Sequence, residues 1–306
     1  MQTTSTLLMV RPYRFISNPQ TQASNAFQNP DNFLTEDVSK ESILEFDTMV
    51  TILRNHNIDV LVFQDPGDVP TPDSIFPNNW ISFDESGLVV LYPMEAENRR
   101  WERRWDSIRT ILEAEGYKFH ALLDLSHYES QNKFLEGTGS MVLDRESKLA
   151  YACLSLRTSE EVLNDFCGLT GYSPILFHAF DKNQKPIYHT NVMMCVGAGF
   201  VLICLESISN PNEKNEVISK IIASGKSLIE ISLKQMEHFA GNMLEIVSKL
   251  GEPIIVLSNQ AFNSLDEIQL NELSHYGKLL PIPLNTIEKN GGGSARCMMA
   301  EIHLPK

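Results

Sequence analysis

One local pattern recurs along the chain, and it constrains the fold more than any other feature. A short polar motif leads into a strand, a turn follows, and an apolar strand returns. Copies of this pattern begin near Trp80, Met141, Val192 and Met243, and a last strand begins at Met298. The offsets between these positions are 61, 51, 51 and 55 residues. Self-similarity at this period indicates a repeated supersecondary unit and not a chain divided into dissimilar domains.

Helical patterns lie between the hairpins. The segment 97–116 predicts one amphipathic helix with four apolar residues on one face, namely Trp101, Trp105, Ile108 and Leu112. Capping-box patterns predict two further helix starts, at Thr158 with Glu161 and at Ser264 with Glu267. Each repeat therefore consists of a hairpin, a helix and a further strand.

Five such units predict an α/β fold arranged around one axis, because each unit is too small to bury its apolar face alone. The final strand has no hairpin partner downstream, so we expect the apolar strand at residues 6–10 to complete its sheet. The chain is therefore interpreted as one closed domain over residues 1–306.

Composition excludes several classes of function. The net charge of −14 argues against a nucleic-acid partner and against binding to anionic membranes. No apolar run reaches the roughly 20 residues of a membrane span, and the first residues do not resemble a signal peptide. Five cysteines without close spacing fit a reducing cytoplasm. The chain has no CxxC pair and no histidine pair at helical spacing, so no metal site is expected.

The polar motifs that precede the strands carry the chemistry. In a cyclic arrangement all five strand starts face one centre, so residues far apart in sequence meet there. The motifs contribute a cysteine, a histidine, a carboxylate and several amides, which are the components of nucleophilic catalysis with an acid/base partner. The residues in question are Asn78, Asn79, Glu136, His189, Asn191, Asn242 and Cys297.

Cys297 differs from the other four cysteines in its surroundings. It follows three glycines, a serine, an alanine and Arg296, whereas the others lie in apolar runs and are interpreted as inert. We expect a partly exposed, cationic setting at Cys297, which would favour the thiolate. Glycines beside Glu136 and before Cys297 would allow a close backbone approach to a ligand.

These residues together resemble the amidinotransferase and arginine-deiminase superfamily. The resemblance covers nearly the whole chain through MVRPYRF, PDSIFPNNW, EGTGSMVLDR, YHTNVMM and GGGSARCMMAE. It is strongest to the bacterial citrulline-utilisation hydrolases, with dimethylargininases as cousins. The resemblance implies a five-bladed α/β propeller, the pentein fold, and a hydrolase that needs no cofactor.

Roles for individual residues follow from the same resemblance. Cys297 matches the family nucleophile, His189 the general acid/base, and Glu136 the carboxylate that orients the histidine or contacts the guanidinium. Asp73 resembles a residue that binds the substrate α-amino group. Arg99 and Arg157 resemble two arginines that bind its α-carboxylate.

Two positions depart from the family pattern. Deiminases have aspartates where this chain has Asn79 and Asn191, and those aspartates accept hydrogen bonds from the guanidinium nitrogens. An amide carries no charge and can both donate and accept. A pocket lined by Asn79, Asn191 and Asn242 would therefore also suit a neutral ureido group. The expected partner is a small guanidino or ureido amino acid, and a homodimer is compatible with the sequence.

Two other functions stay open at this point. An amidinotransferase would pass the amidino group to an amine in place of water, and the sequence does not show which nucleophile enters second. A non-catalytic pentein that binds a macromolecule would be expected to have lost the Cys–His–carboxylate set.

Overall fold

The structure is a computed structural model that describes residues 1–28 and 36–306. Fifteen strands in this part of the chain form five three-stranded sheets. The strands are β1 (Thr6–Arg11), β2 (Asp59–Gln64), β3 (Ile81–Phe83), β4 (Leu88–Leu91), β5 (Ala121–Asp124), β6 (Val142–Asp144), β7 (Leu149–Cys153), β8 (Ser173–Phe177), β9 (Met194–Val196), β10 (Phe200–Ile203), β11 (Ser227–Glu230), β12 (Leu244–Val247), β13 (Pro253–Ser258), β14 (Lys278–Ile282) and β15 (Ala300–Glu301).

Ten α-helices lie between these strands in the described residues. They are α1 (Glu36–Asn55), α2 (Glu97–Arg100), α3 (Trp105–Ala114), α4 (Gly137–Ser140), α5 (Glu160–Thr170), α6 (Pro211–Ala223), α7 (Leu233–Glu237), α8 (Asn259–Ser264), α9 (Glu267–Ser274) and α10 (Asn285–Gly291). Short 3₁₀ turns are interspersed at Pro77–Asn79, Ser126–Gln131, Thr190–Val192, Leu205–Ser207 and Ala295–Met298.

All five sheets share one strand arrangement. In each, the middle strand pairs antiparallel with one neighbour and parallel with the other. Four sheets use three consecutive strands, whereas the fifth joins β15 to β1 and β2. Leu7 lies opposite Glu301 and Leu8 opposite Ala300 in that sheet. The predicted repeat and the predicted pairing of the first strand with the last are therefore confirmed.

The polar motifs occupy equivalent places in the five sheets. Four of them form a short helical turn directly before an edge strand: Pro77–Asn79 before β3, α4 before β6, Thr190–Val192 before β9 and Ala295–Met298 before β15. Neighbouring edge strands contact each other, β6 with β9, β9 with β12 and β15 with β3. This arrangement brings the strand starts of different sheets together.

Two helix predictions were wrong. The segment 97–116 forms two helices, α2 and α3, and Trp101 between them is 63% exposed instead of packed with Ile108. The first helix turns away after one turn because the side chain of Arg99 is buried among carboxylates. The predicted capping boxes are also displaced, since α5 begins after Ser159 and α9 is capped by Asp266.

The core consists of apolar clusters between the sheets and the helices that cover them. The largest surrounds β9 and β10, where Val201, Leu202 and Ile203 are fully buried. None of the described helices is long and apolar enough to cross a lipid bilayer.

Candidate active site

Glu136 and His189 form a buried hydrogen-bonded pair. His189 Nε2 lies 2.8 Å from Glu136 Oε2, and the two side chains are 2% and 0% exposed. Glu136 precedes α4, where Gly137 has φ of +49°, and His189 precedes the turn that leads into β9. Gly139 lies against the histidine ring, because a Cβ there would be 2.9 Å from His189 Nδ1. Glycine is therefore required at this position for the ring to approach the backbone of α4.

The charges around this pair set its ionisation. Burial raises the pKa of Glu136, but Arg157, His189 and Arg99 outweigh burial and hold that pKa below its usual range. The guanidinium groups of Arg99 and Arg157 each lie 3.6 Å from Glu136 Oε2. Burial lowers the pKa of His189 to about 4, despite the hydrogen bond to Glu136. At neutral pH the site therefore contains a carboxylate and a neutral imidazole.

Cys297 lies beside two amide donors. Asn242 Nδ2 is 3.3 Å and Asn191 Nδ2 is 3.5 Å from Cys297 Sγ. Asn242 also donates to the carbonyl of Asn191 at 2.7 Å and accepts from Arg296 N at 3.1 Å. Cys297 acts electrostatically on Tyr188, the residue before His189. The turn 295–298 also contacts the turn 77–79, and α4 contacts both the turn 77–79 and the turn 190–192, so the strand starts that carry the cysteine, the histidine and the carboxylate are joined through neighbouring turns.

The expected exposure of Cys297 was wrong, whereas the charge of Arg296 does lower the pKa of its thiol as expected. The side chain is 4% exposed, and burial raises the pKa of its thiol above the ordinary value. The guanidinium of Arg296 points away, donating to Met299 O at 2.8 Å and to Glu301 Oε2 at 2.7 Å. The groups that lower this pKa are, from the largest effect to the smallest, the backbone of Ser294, the amide of Asn242, the charge of Arg296 and the amide of Asn191.

A second group of the expected residues adjoins Glu136. Arg99 donates to Asn79 Oδ1 at 2.9 Å and forms a close ion pair with Glu102 at 3.0 Å. Asp73 Oδ2 lies 3.6 Å from Arg99 Nε and accepts from Asn18 Nδ2 at 2.7 Å. Burial raises the pKa of Asp73, although Arg99 and Asn18 oppose this shift.

Arg157 approaches Glu136 from the other side. Its guanidinium donates to Ser24 Oγ at 2.6 Å and to Thr21 O at 3.4 Å, and it lies over the Tyr188 ring at 5.0 Å. The segment around Thr21 therefore covers this side of the site.

Three of these buried side chains have a polar atom without a hydrogen-bond partner among the described residues. They are Asp73 Oδ1, Arg157 Nε and Asn191 Oδ1. Buried polar atoms in folded proteins are almost always paired, so atoms of this kind beside a candidate nucleophile indicate a ligand site.

Sequence reasoning missed several residues of this cluster. Asn18 bonds Asp73, and Glu102 pairs with Arg99 while burial raises its pKa to about 8. Glu95 donates its backbone N–H to Glu136 Oε1 at 3.0 Å and has an unpaired buried Oε2. The charged pattern around 95–104 was a signal for Glu95 and Glu102, whereas no local pattern distinguishes Asn18. Within the described residues, no group of three or more His, Cys, Asp or Glu side chains could hold a metal ion.

Solved structures share this fold. The apo arginine dihydrolase ArgZ from the ornithine–ammonia cycle in Cyanobacteria superposes with a TM-score of 0.76 at 18% identity, covering 98% of this chain and 41% of that one. The chain thus spans about two fifths of full-length ArgZ. The substrate-bound N-terminal domain of an ArgZ mutant has a TM-score of 0.75 at 17% identity, with 97% of each chain covered.

A third structure is a dimethylarginine dimethylaminohydrolase mutant as an adduct with S-methyl-L-thiocitrulline. It has a TM-score of 0.62 at 13% identity and covers 98% of this chain and 99% of that one. At these identities the likeness establishes the fold alone. No curated protein sequence matches the chain.

One protein-family profile matches residues 11–304, and its description is N,N dimethylarginine dimethylhydrolase, eukaryotic. The match includes every residue of the cluster described above. The chain therefore belongs to the N,N dimethylarginine dimethylhydrolase family, within the guanidine-modifying enzymes that its motifs resemble.

Proposed function

We propose that this chain is a cysteine-dependent hydrolase that cleaves a C–N bond in the guanidino or ureido group of an arginine-like or citrulline-like amino acid. The observation that carries this proposal is the buried Cys297 thiol, which accepts hydrogen bonds from two amides, one of them on the turn that follows His189 of the Glu136–His189 pair. Relatives of the same fold are an arginine dihydrolase and a dimethylarginine dimethylaminohydrolase, which supports a guanidino substrate.

The amino-acid end of the substrate would bind at Asp73 and Arg157. The unpaired Asp73 Oδ1 is an acceptor suited to an α-ammonium group, and the unpaired Arg157 Nε is a donor suited to an α-carboxylate. Arg99 would support this end indirectly, because its guanidinium already donates to Glu102 and Asn79. The substrate class is therefore a free α-amino acid with a guanidino or ureido side chain.

The first half-reaction begins with proton transfer from Cys297. The hydrogen bond to Glu136 places a proton on His189 Nε2, so Nδ1 is free to accept the thiol proton. Burial opposes the thiolate, but a cationic substrate group beside the sulfur would favour it. The thiolate then attacks the trigonal carbon, and His189 passes the proton to the departing nitrogen as the C–N bond breaks. A covalent S-linked intermediate results.

The second half-reaction consumes water. His189 takes a proton from the water as its oxygen bonds to the carbon, and returns that proton to the sulfur when the C–S bond breaks. Glu136 stabilises the imidazolium that forms in both halves because it is ionised and adjacent. Asn242 and Asn191 stabilise the thiolate by donating to the sulfur. No metal or organic cofactor takes part in these steps.

We infer further that the five sheets are the blades of one five-bladed propeller and that residues 1–306 form a single catalytic domain. The identical strand order of the sheets and the contacts between their edge strands support this arrangement. All five cysteines lie in the described part of the chain and are free thiols, which supports a cytoplasmic location.

A substrate panel tests the proposal. Arginine, citrulline, methylated arginines, agmatine and N-acylarginines would be incubated with the wild-type chain and with Cys297→Ser, and ammonia, methylamines and ureido products measured. We expect turnover of at least one free amino acid by the wild type, weak turnover of agmatine and N-acylarginines, and none by Cys297→Ser. Turnover that survives in Cys297→Ser, or no turnover of any compound, would contradict the proposal.

A further inference from the structure

Glu288 is a buried carboxyl group that the mechanism above does not use. It lies on α10, nine positions before Cys297, and is 2% exposed. Ser294 donates its hydroxyl to Glu288 Oε1 at 2.5 Å, and the Ser258 side chain at the end of β13 lowers the pKa of the same carboxyl group. Glu288 Oε2 is buried and has no hydrogen-bond partner among the described residues. The carboxyl group therefore links α10 to the glycine-rich loop 291–296.

The hydrogen bond between Ser294 and Glu288 is connected to Cys297, the candidate nucleophile, through the backbone of Ser294. The carbonyl of Ser294 accepts the backbone N–H of Cys297 at 3.0 Å. At the start of the loop, Gly292 has φ of +65° and donates its N–H to Glu288 O at 3.0 Å. Glu288 thus holds the loop 291–296 at two points, at Gly292 through its backbone and at Ser294 through its side chain.

We propose that Glu288 is a positioning residue for Cys297, and that its ionised form holds the loop 291–296 more firmly than its neutral form. A hydroxyl that donates to a carboxylate forms a hydrogen bond roughly twice as strong as one to a neutral acceptor. The ionised carboxyl group would therefore fix Ser294, and through Ser294 the backbone of Cys297. This inference rests on the proposed function in taking Cys297 as the nucleophile.

The surroundings of Glu288 bring this ionisation close to neutral pH. Burial raises the pKa of Glu288 to about 7, while the hydrogen bonds from Ser258 and Ser294 act in the opposite direction. Glu45 on α1, which binds the N-terminal N–H groups of α10, raises it further. The recess outside this carboxyl group carries five charged side chains: Asp181, Lys182, Lys185, Glu237 and Lys289.

The test measures how fast iodoacetamide alkylates Cys297 at pH 5.5 to 9, using the mass of the peptide that contains it. We expect the wild-type rate to show an ionisation near pH 7 in addition to that of the thiol. Glu288→Gln keeps an acceptor for Ser294 but cannot ionise, so it should match the wild type at low pH and fall about fivefold below it at pH 8. The pH profile of kcat should show the ionisation near pH 7 in the wild type and lack it in Glu288→Gln, while KM changes little.

Glu45→Gln is the matched control, because it neutralises a carboxyl group of α1 that binds the N-terminal end of α10 without touching Ser294. It should lower Tm and keep the ionisation of Glu288, moved to somewhat lower pH because the charge of Glu45 raises the pKa of Glu288. Coincident profiles for Glu288→Gln and the wild type overturn the proposal. If Glu288→Gln does not fold, Ser294→Ala removes the same link, and a wild-type profile there overturns it equally. Failure of the substrate panel would leave the alkylation result intact, so the two proposals can fail separately.

Discussion

The amide donors at Cys297 allow a quantitative prediction. Asn191→Leu removes a donor that lies 3.5 Å from the sulfur and preserves the volume of the side chain. A hydrogen bond to a charged group contributes about 1.5–3 kcal/mol, and one pKa unit corresponds to about 1.4 kcal/mol. The pKa of the Cys297 thiol should therefore rise by about 1–2 units. Alkylation of Cys297 at pH 7 should slow by about 10- to 100-fold in consequence.

A second variant at the same position separates the donor from the charge. Asn191→Asp replaces the donor by an anion, and two unit charges 3.5 Å apart repel by about 5 kcal/mol at an effective dielectric constant of 20. The rise in the thiol pKa should therefore exceed that of Asn191→Leu. Asn290→Leu is the control, since this buried amide donates to Thr286 O and not to the sulfur. The assay is the pH dependence of thiolate absorbance, and an unchanged thiol pKa in both Asn191 variants would refute the reasoning.

Three further predictions concern the rest of the site. The pKa of His189 is lowered from 6.5 to about 4, so the unfolded chain binds more protons than the folded chain between these pH values. The free energy of unfolding should therefore fall by up to about 3 kcal/mol as the pH drops from 6.5 to 4. Chemical denaturation at a series of pH values measures this fall, and His189→Gln should lose it. Asp73→Asn should raise KM for arginine about 10-fold while that for N-acetylarginine stays unchanged in steady-state kinetics. Asn79→Asp should shift relative kcat/KM from citrulline towards arginine by about tenfold per 1.4 kcal/mol gained; an unchanged ratio would mean that Asn79 does not face the reacting group.

The repeated hairpins were predictable because the signal is local. Each copy contains a polar motif, two apolar strands and a turn within a short stretch, so the sequence pattern reports it directly. The pairing of β1 with β15 was also predictable, because only one sheet lacked a strand after the hairpins were counted. Equivalent positions before the edge strands then indicated which polar residues meet.

The features that sequence analysis predicted wrongly depend on the directions of side chains, which the spacing of residues in the sequence does not determine. Arg296 is adjacent to Cys297 in sequence, but its guanidinium pairs with Glu301, and the amide of Asn242 donates to the sulfur. Periodicity predicted a helix through Trp101, whereas burial of Arg99 among carboxylates ends the first helix there.

Thr158 illustrates why the helix starts were misplaced. Its hydroxyl lies 3.4 Å from Ser155 Oγ, so the neighbouring Ser159 occupies the N-cap position instead. Asn18 could not be found at all, because its contact with Asp73 joins segments 55 positions apart and no motif surrounds it.

The central claim is that Cys297 forms a covalent intermediate, and its most direct test is the mass of the peptide that contains Cys297 during turnover. Wild-type chain and His189→Ala would be mixed with arginine or the best substrate from the panel, quenched in acid and digested. The account predicts a substrate-derived adduct on the Cys297 peptide of the wild-type chain, and much slower formation of that adduct in His189→Ala, because the thiol then lacks its base. An active wild-type chain that shows no adduct at any quench time, together with full turnover in Cys297→Ser, would contradict it.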